Sequence, residues 1–148
     1  MTDVRTTSVQ LAARGLTRHF SVRTPGAFFA PKRIVHAVDG VSLDLVAGEV
    51  VAVVGESGSG KSVLARMLAR IITPTSGDLV LQGKPIEIKS KRTLDYASQV
   101  QLVLQDPFAS MNPVHRMSHN LIRPLMIHGA SKHDAPAMAE AALRRVSL

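Results

Sequence analysis

Residues 50–62 read Val50-Val51-Ala52-Val53-Val54-Gly55-Glu56-Ser57-Gly58-Ser59-Gly60-Lys61-Ser62. The run from Gly55 to Ser62 is a complete phosphate-binding loop of the Gly-x4-Gly-Lys-Ser form. Its setting gives it meaning. A buried parallel strand reads as a short, continuous β-branched run, and Val50 to Val54 is such a run, delivered straight into a glycine-rich turn. An amphipathic helix is expected next, with Val63, Leu64, Met67, Leu68, Ile71 and Ile72 on one face, Arg66 and Arg70 opposite, and Pro74 as its stop. Strand, loop and helix in that order are the context the motif requires.

The residue types explain the chemistry. Gly55, Gly58 and Gly60 let the backbone curl so that successive amide N–H groups face one phosphate chain. The first helical turn adds unpaired donors and the positive end of its dipole. Glu56, Ser57 and Ser59 complete the loop that wraps the anion. Lys61 reaches the β- and γ-phosphates, and the Ser62 hydroxyl is a ligand for the Mg²⁺ that bridges them. Two other readings fail on composition. A serine-hydrolase elbow lacks its second glycine because Ser59 stands there, and a dinucleotide fingerprint lacks its third because Val63 does.

A chain of 148 residues, 45% hydrophobic and 20% charged, has the composition and length of one globular domain with one core. No apolar stretch approaches a membrane span, and Met1 to Gln10 lacks the apolar core of a signal peptide, so the chain is expected in the cytosol. Absence of cysteine excludes disulfides and thiolate metal sites. The formal charge of +7 is spread, +4 over residues 1–74 and +3 over residues 75–148, and aromatics are only 3%. Nucleic-acid binding favours a basic stripe with stacking aromatics, so no nucleic-acid partner is expected. The charge suits a solvated surface, ATP, and an anionic membrane face.

Around the loop, Val9 to Phe20 reads as a strand and Val41 to Leu45 as a half-exposed antiparallel strand, with residues 21–36 as a loop insertion tipped by Phe28 and Phe29. Leu79 to Leu81, a Gln82-Gly83 turn and Ile86 to Ile88 read as a short hairpin. Val100 to Leu104 reads as a second apolar strand. Helices are expected over 117–127 and 135–146, the latter led in by Asp134 and Pro136. His115 and His119 have i, i+4 spacing, but no accompanying ligand pattern points to a metal site there.

Four stretches together carry a family resemblance: Ala37-Val38-Asp39-Gly40-Val41-Ser42, the phosphate loop, Pro74-Thr75-Ser76-Gly77, and Leu104-Gln105-Asp106-Pro107-Phe108-Ala109-Ser110-Met111-Asn112-Pro113. They resemble the ATP-binding subunits of ABC transporters, and more narrowly the dipeptide, oligopeptide and nickel importers. The loop alone is shared by many nucleotide-binding families; the Gln-Asp-Pro-Phe-Ala-Ser-Met-Asn-Pro string is far more specific. The resemblance implies an α/β fold: a P-loop NTPase core sheet, an antiparallel β subdomain, and the start of a helical subdomain over about 106–148. It implies ATP and Mg²⁺ as cofactors, membrane-spanning permease subunits and a second ATP-binding subunit as partners, and a peripheral place at the cytoplasmic face of the inner membrane. By the same resemblance Gln105 matches the Q-loop glutamine, which touches Mg²⁺ and the attacking water. Phe20 matches the aromatic that stacks on adenine, although a strand-end phenylalanine is also an ordinary packing residue.

The family pattern continues to a Leu-Ser-Gly-Gly-Gln signature, an acidic strand ending in Asp then Glu, and a switch histidine, none of which occurs among these 148 residues. The chain is therefore expected to be the N-terminal part of a larger ATPase domain and to be inactive in hydrolysis alone. Two alternatives stay open: a non-catalytic nucleotide- or transporter-binding fragment, and a P-loop protein of another class. The transported substrate is not legible.

Overall fold

The computed structural model describes residues 8–22, 33–88, 93–106 and 113–147. They fall into two compact units, Met1–Thr93 and Leu94–Leu148. The first unit is built on a four-stranded antiparallel sheet in the order β2-β1-β3-β4. Strand β1 runs Val9–Val22, β2 Arg33–Val46, β3 Ser76–Leu81 and β4 Lys84–Ile86. Inner strand β1 pairs with β2 on one edge and β3 on the other, which buries Leu11, Ala12, Ala13 and Leu16 in sequence. Gln82 and Gly83 both have positive φ, 49° and 77°, the geometry of a two-residue turn whose twist matches that of its flanking strands.

The β1–β2 hairpin is longer than expected. Ser21 and Val22 belong to β1, and residues 33–36 to β2, so the expected loop over 21–36 is strand at both ends. Its centre, with Phe28 and Phe29, lies outside the described residues. Cross-strand pairing supplies the reason, since Phe20↔Val35, Ser21↔Ile34 and Val22↔Arg33 extend the ladder past the point where the sequence turns polar. Arg14 reaches across the same hairpin to Asp44, and this hydrogen bond holds the guanidinium pKa above its usual value.

Helix α1 spans Lys61–Leu68 and packs against β2. It buries Leu64 and Met67, each worth about 1.5–3 kcal/mol when taken fully out of water. Pro74 does not stop it. Arg70 adopts φ 53°, the Ile71 N–H donates to the Arg66 carbonyl at 2.8 Å, and the Arg70 N–H donates to the Met67 carbonyl at 2.9 Å. That pair of bonds is a Schellman ending, with arginine where glycine is usual. The Arg70 guanidinium in turn donates to the Glu87 carbonyl at 2.9 Å. Ile71 thus leaves the helical face on which its spacing had put it and stands 55% exposed.

The two apolar runs read as core strands are not strands here. Val50–Val54 and residues 100–104 lie outside every helix and ladder, and Val50, Val54 and Val103 are 98%, 86% and 92% exposed. A run that is apolar on both faces becomes a strand only when neighbours pair with it on each side. Among the described residues no strand pairs with either.

The second unit is helical. Helix α2, Leu94–Gln99, was not expected from the sequence; it is short and fixed by Tyr96, which is 1% exposed. Helix α3 spans Met117–Ile127 and α4 spans Ala135–Arg145, close to the expected 117–127 and 135–146, and the two pack together. The start of α4 differs in detail. Asp134 makes no side-chain cap to the helix; instead its N–H donates to Ser131 Oγ at 3.0 Å, and the Ser131 hydroxyl donates back to Asp134 Oδ2 at 2.6 Å. Both bonds run through the Ser131 hydroxyl, which ties the turn ahead of α4 to the Asp134 backbone and carboxylate.

Candidate functional site: a phosphate loop seated on a bulged strand

The β1–β2 ladder is irregular where the site is built. Leu16 pairs with Val41, Arg18 with Val38 and His19 with His36, so β2 carries two more residues than β1 over this stretch. Such bulges bend a strand and turn its backbone outward. Here they present the Ala37 carbonyl to the end of the phosphate loop. A Cβ on Gly60 would stand 2.1 Å from that oxygen, and Gly60 has φ 90°, so glycine is required twice over. Gly60 is also the N-cap residue of α1, with its carbonyl accepting from the Leu64 N–H at 2.9 Å. The helix start and the loop are therefore clamped to β2 through one residue.

Within the loop, the Ser59 N–H donates to the Glu56 carbonyl at 3.3 Å and closes a turn. Lys61 folds back over that turn. Its Nζ donates to the Gly55 carbonyl at 2.8 Å, the Glu56 carbonyl at 2.6 Å and Ser59 Oγ at 3.3 Å. The ammonium is thus held at the loop's own backbone, beside the first-turn amides of Lys61, Ser62 and Val63, which have no intrahelical acceptor. Cation, free amides and helix dipole converge on one place, a donor set that fits a phosphate chain. A cavity of about 380 Å³ adjoins it, lined by His36, Val38 and Asp39 of β2, by Val53, Gly55 and Ser59, and by Lys61 and Leu64 of α1. That volume lies in the range of small-molecule sites.

The expected site residues divide into four groups. Gly55, Ser59, Gly60 and Lys61 line this cavity together. Ser62 is exposed on the first turn of α1, where its hydroxyl suits a Mg²⁺ ligand, and Glu56, Ser57 and Gly58 are exposed on the loop. Phe20 is on β1, half-buried, with the Arg18 guanidinium carbon 4.6 Å from its ring centroid, and it does not line the cavity. Gln105 belongs to the second unit, exposed in the segment after α2; Pro107 to Asn112 lie outside the described residues. Sequence reasoning assigned no role to His36 or Asp39. For Asp39 the signal was the Ala37–Ser42 stretch and for His36 there was none; both line the cavity from the irregular part of β2.

A family model for "ABC transporter" matches residues 38–148. The chain belongs to the ABC transporter family. Among curated ABC relatives it is 41% identical over 140 residues to the Di/tripeptide transport ATP-binding protein DppF of Pseudomonas aeruginosa, covering 93% of this chain and 43% of that protein. It is 39% identical over 140 residues to the Dipeptide transport ATP-binding protein DppF of Escherichia coli, of which it covers 41%. The Glutathione import ATP-binding protein GsiA of Salmonella typhi is also 39% identical, with 22% of its length covered. The chain thus spans less than half the length of these relatives.

In fold, it is similar to the ATP-binding cassette MJ0796, solved as a dimer in a post-hydrolysis state bound to ADP and Pi, with TM-score 0.71 and 21% identity over 93% of this chain and 57% of that one. The α/β fold is accordingly that of an ABC ATPase cassette. No helix among the described residues is long and apolar enough to cross a membrane.

Proposed function

We propose that this chain forms the nucleotide-holding part of an energy-coupling ATPase subunit, acting with membrane-spanning permease subunits to import peptides or a related small solute. The seated phosphate loop carries the reading: Gly60 locked against the Ala37 carbonyl, with Lys61 Nζ gathered over the loop beside the free first-turn amides. Bound ATP would supply a γ-phosphoryl group for transfer to water, and Mg²⁺ would offset the charge of its phosphates. Lys61 exchanges its backbone carbonyl acceptors for phosphate oxygens, and the amides of residues 58–63 hold the chain in register. The Ser62 hydroxyl would be a ligand of the Mg²⁺, and Gln105, which matches the family's Q-loop glutamine, would sense the nucleotide and link it to the permease. Phe20 stacks on the adenine. The segment from Gln105 to about Ile127, of which 107–112 lie outside the described residues and Met117 is 60% exposed, is the part offered to the permease. The subunit is peripheral, held at the cytoplasmic face of the membrane by those partners and paired with a second ATP-binding subunit.

The 148 residues by themselves bind nucleotide without turning it over, because they contain neither the signature loop nor a glutamate after an apolar acidic strand to activate water. ATP binding by calorimetry, with phosphate release measured in parallel, tests both halves. Affinity lost in Lys61→Ala together with release no faster than in that variant supports the proposal. Binding unaffected by Lys61→Ala overturns the assigned loop, and Lys61-dependent turnover overturns the assignment of inactivity.

A further inference from the structure

The bulges that seat the phosphate loop also assemble a second cluster, on β1 and β2. His19 and His36 are cross-strand partners with ring centroids 3.9 Å apart. His36 and Asp39 are three residues apart, a spacing that puts side chains on opposite faces of a regular strand. The extra residues in β2 undo that alternation, and one ligand atom from each of His19, His36 and Asp39 lies within 4.8 Å of the others. The Nε2 atom of His19 is shielded from solvent and has no hydrogen-bond partner among the described residues. A buried imidazole nitrogen in that condition is unfavourable unless something binds it.

We propose that His19, His36 and Asp39 form a site for a zinc-type divalent cation. Two imidazole nitrogens and one carboxylate oxygen suit a borderline metal such as Zn²⁺, whereas Mg²⁺ favours an all-oxygen, octahedral set. Tetrahedral zinc with bonds of about 2.0–2.1 Å puts its ligand atoms roughly 3.3 Å apart, so the cluster closes by rotation of the exposed His36 and Asp39 side chains. Three protein ligands leave a fourth position for water. His36 and Asp39 also line the cavity beside the phosphate loop, so the cation sits at its wall.

Zn²⁺ competition against a chromogenic chelator, using the full chain, tests the site. One Zn²⁺ per chain is expected, with affinity reduced in His36→Gln and in Asp39→Asn. Outer-shell changes alone cost about 10- to 100-fold in metal affinity, and loss of a ligand should cost at least that. Both substitutions fall on exposed side chains, so folding should survive, and circular dichroism checks it. Co²⁺ in place of zinc should give a visible d–d band of low-coordinate character that the variants lose. The i, i+4 pair His115 and His119, whose rings stack at 4.2 Å, is the control. Zinc binding that disappears in His115→Gln or His119→Gln, or that persists unchanged in the His36→Gln, Asp39→Asn double variant, overturns the proposal, as does an absence of stoichiometric binding.

Discussion

At the scale of single residues, Gly60 and Lys61 bear most of the site. A methyl group at Gly60 meets the Ala37 carbonyl and must also adopt a left-handed backbone, so Gly60→Ala should destabilise the first unit by about 2–4 kcal/mol. Urea unfolding checks the loss, and a change below 1 kcal/mol, roughly the cost of the left-handed conformation alone, would show that the loop is not clamped on β2. Lys61→Ala removes one charge-assisted contact, worth about 1.5–3 kcal/mol, and should weaken ATP binding by about 10- to 150-fold in calorimetry. Asp134 gives a pH test of the helical unit. Its carboxylate accepts from Ser131 and then lies beside His133, and these hold its pKa below the ordinary value of 3.8. A depressed folded pKa stabilises the folded state above the ordinary value, and that contribution is lost as pH falls through the lower folded one. Carboxyl resonances followed by NMR should therefore show Asp134 titrating below 3.8 in the chain and moving up toward it in Ser131→Ala.

At the scale of elements, what was local in origin was legible. Helices α3 and α4 and the Gln82-Gly83 turn follow from local residue types, which act between near neighbours, whereas the hairpin's second strand, read as Ile86 to Ile88, is Lys84–Ile86, because it pairs with Leu79–Leu81 directly after the turn. Helix α2 was not, because six residues carry too little periodicity and the burial of Tyr96 decides it. The end of α1 misled for a related reason: a Schellman bond pattern with Arg70 at φ 53° ends the helix before the proline that the sequence offered as its stop. Helix α3 contains Pro124, which cannot donate to the carbonyl one turn earlier. Pro124→Ala restores that bond and should stabilise the 94–148 unit by about 1–3 kcal/mol. An unchanged or lower midpoint in thermal unfolding by circular dichroism would mean that Pro124 itself is needed for α3 to pack on α4.

At the scale of the whole molecule, the exposed valines set the behaviour of the chain by itself. Val50, Val54 and Val103 are 86–98% exposed, and burying apolar surface gains about 25 cal/mol per Å², so self-association is expected at working concentrations. Size-exclusion chromatography with light scattering should show oligomers that recede in a Val50→Thr, Val54→Thr variant; a monodisperse monomer for the unaltered chain would contradict this. The phosphate-loop motif, helices α3 and α4 and the Gln82-Gly83 turn were legible in the sequence alone, because each rests on residue types and spacings within a dozen positions. The antiparallel pairing of Val9–Val22 with two partners, the bulges that present Ala37, His36 and Asp39, and the fate of Val50–Val54 were decided only by tertiary structure. The physical reason is common to all three. Register and pairing depend on which distant strand lies alongside, and a one-residue offset in that ladder redirects every side chain that follows.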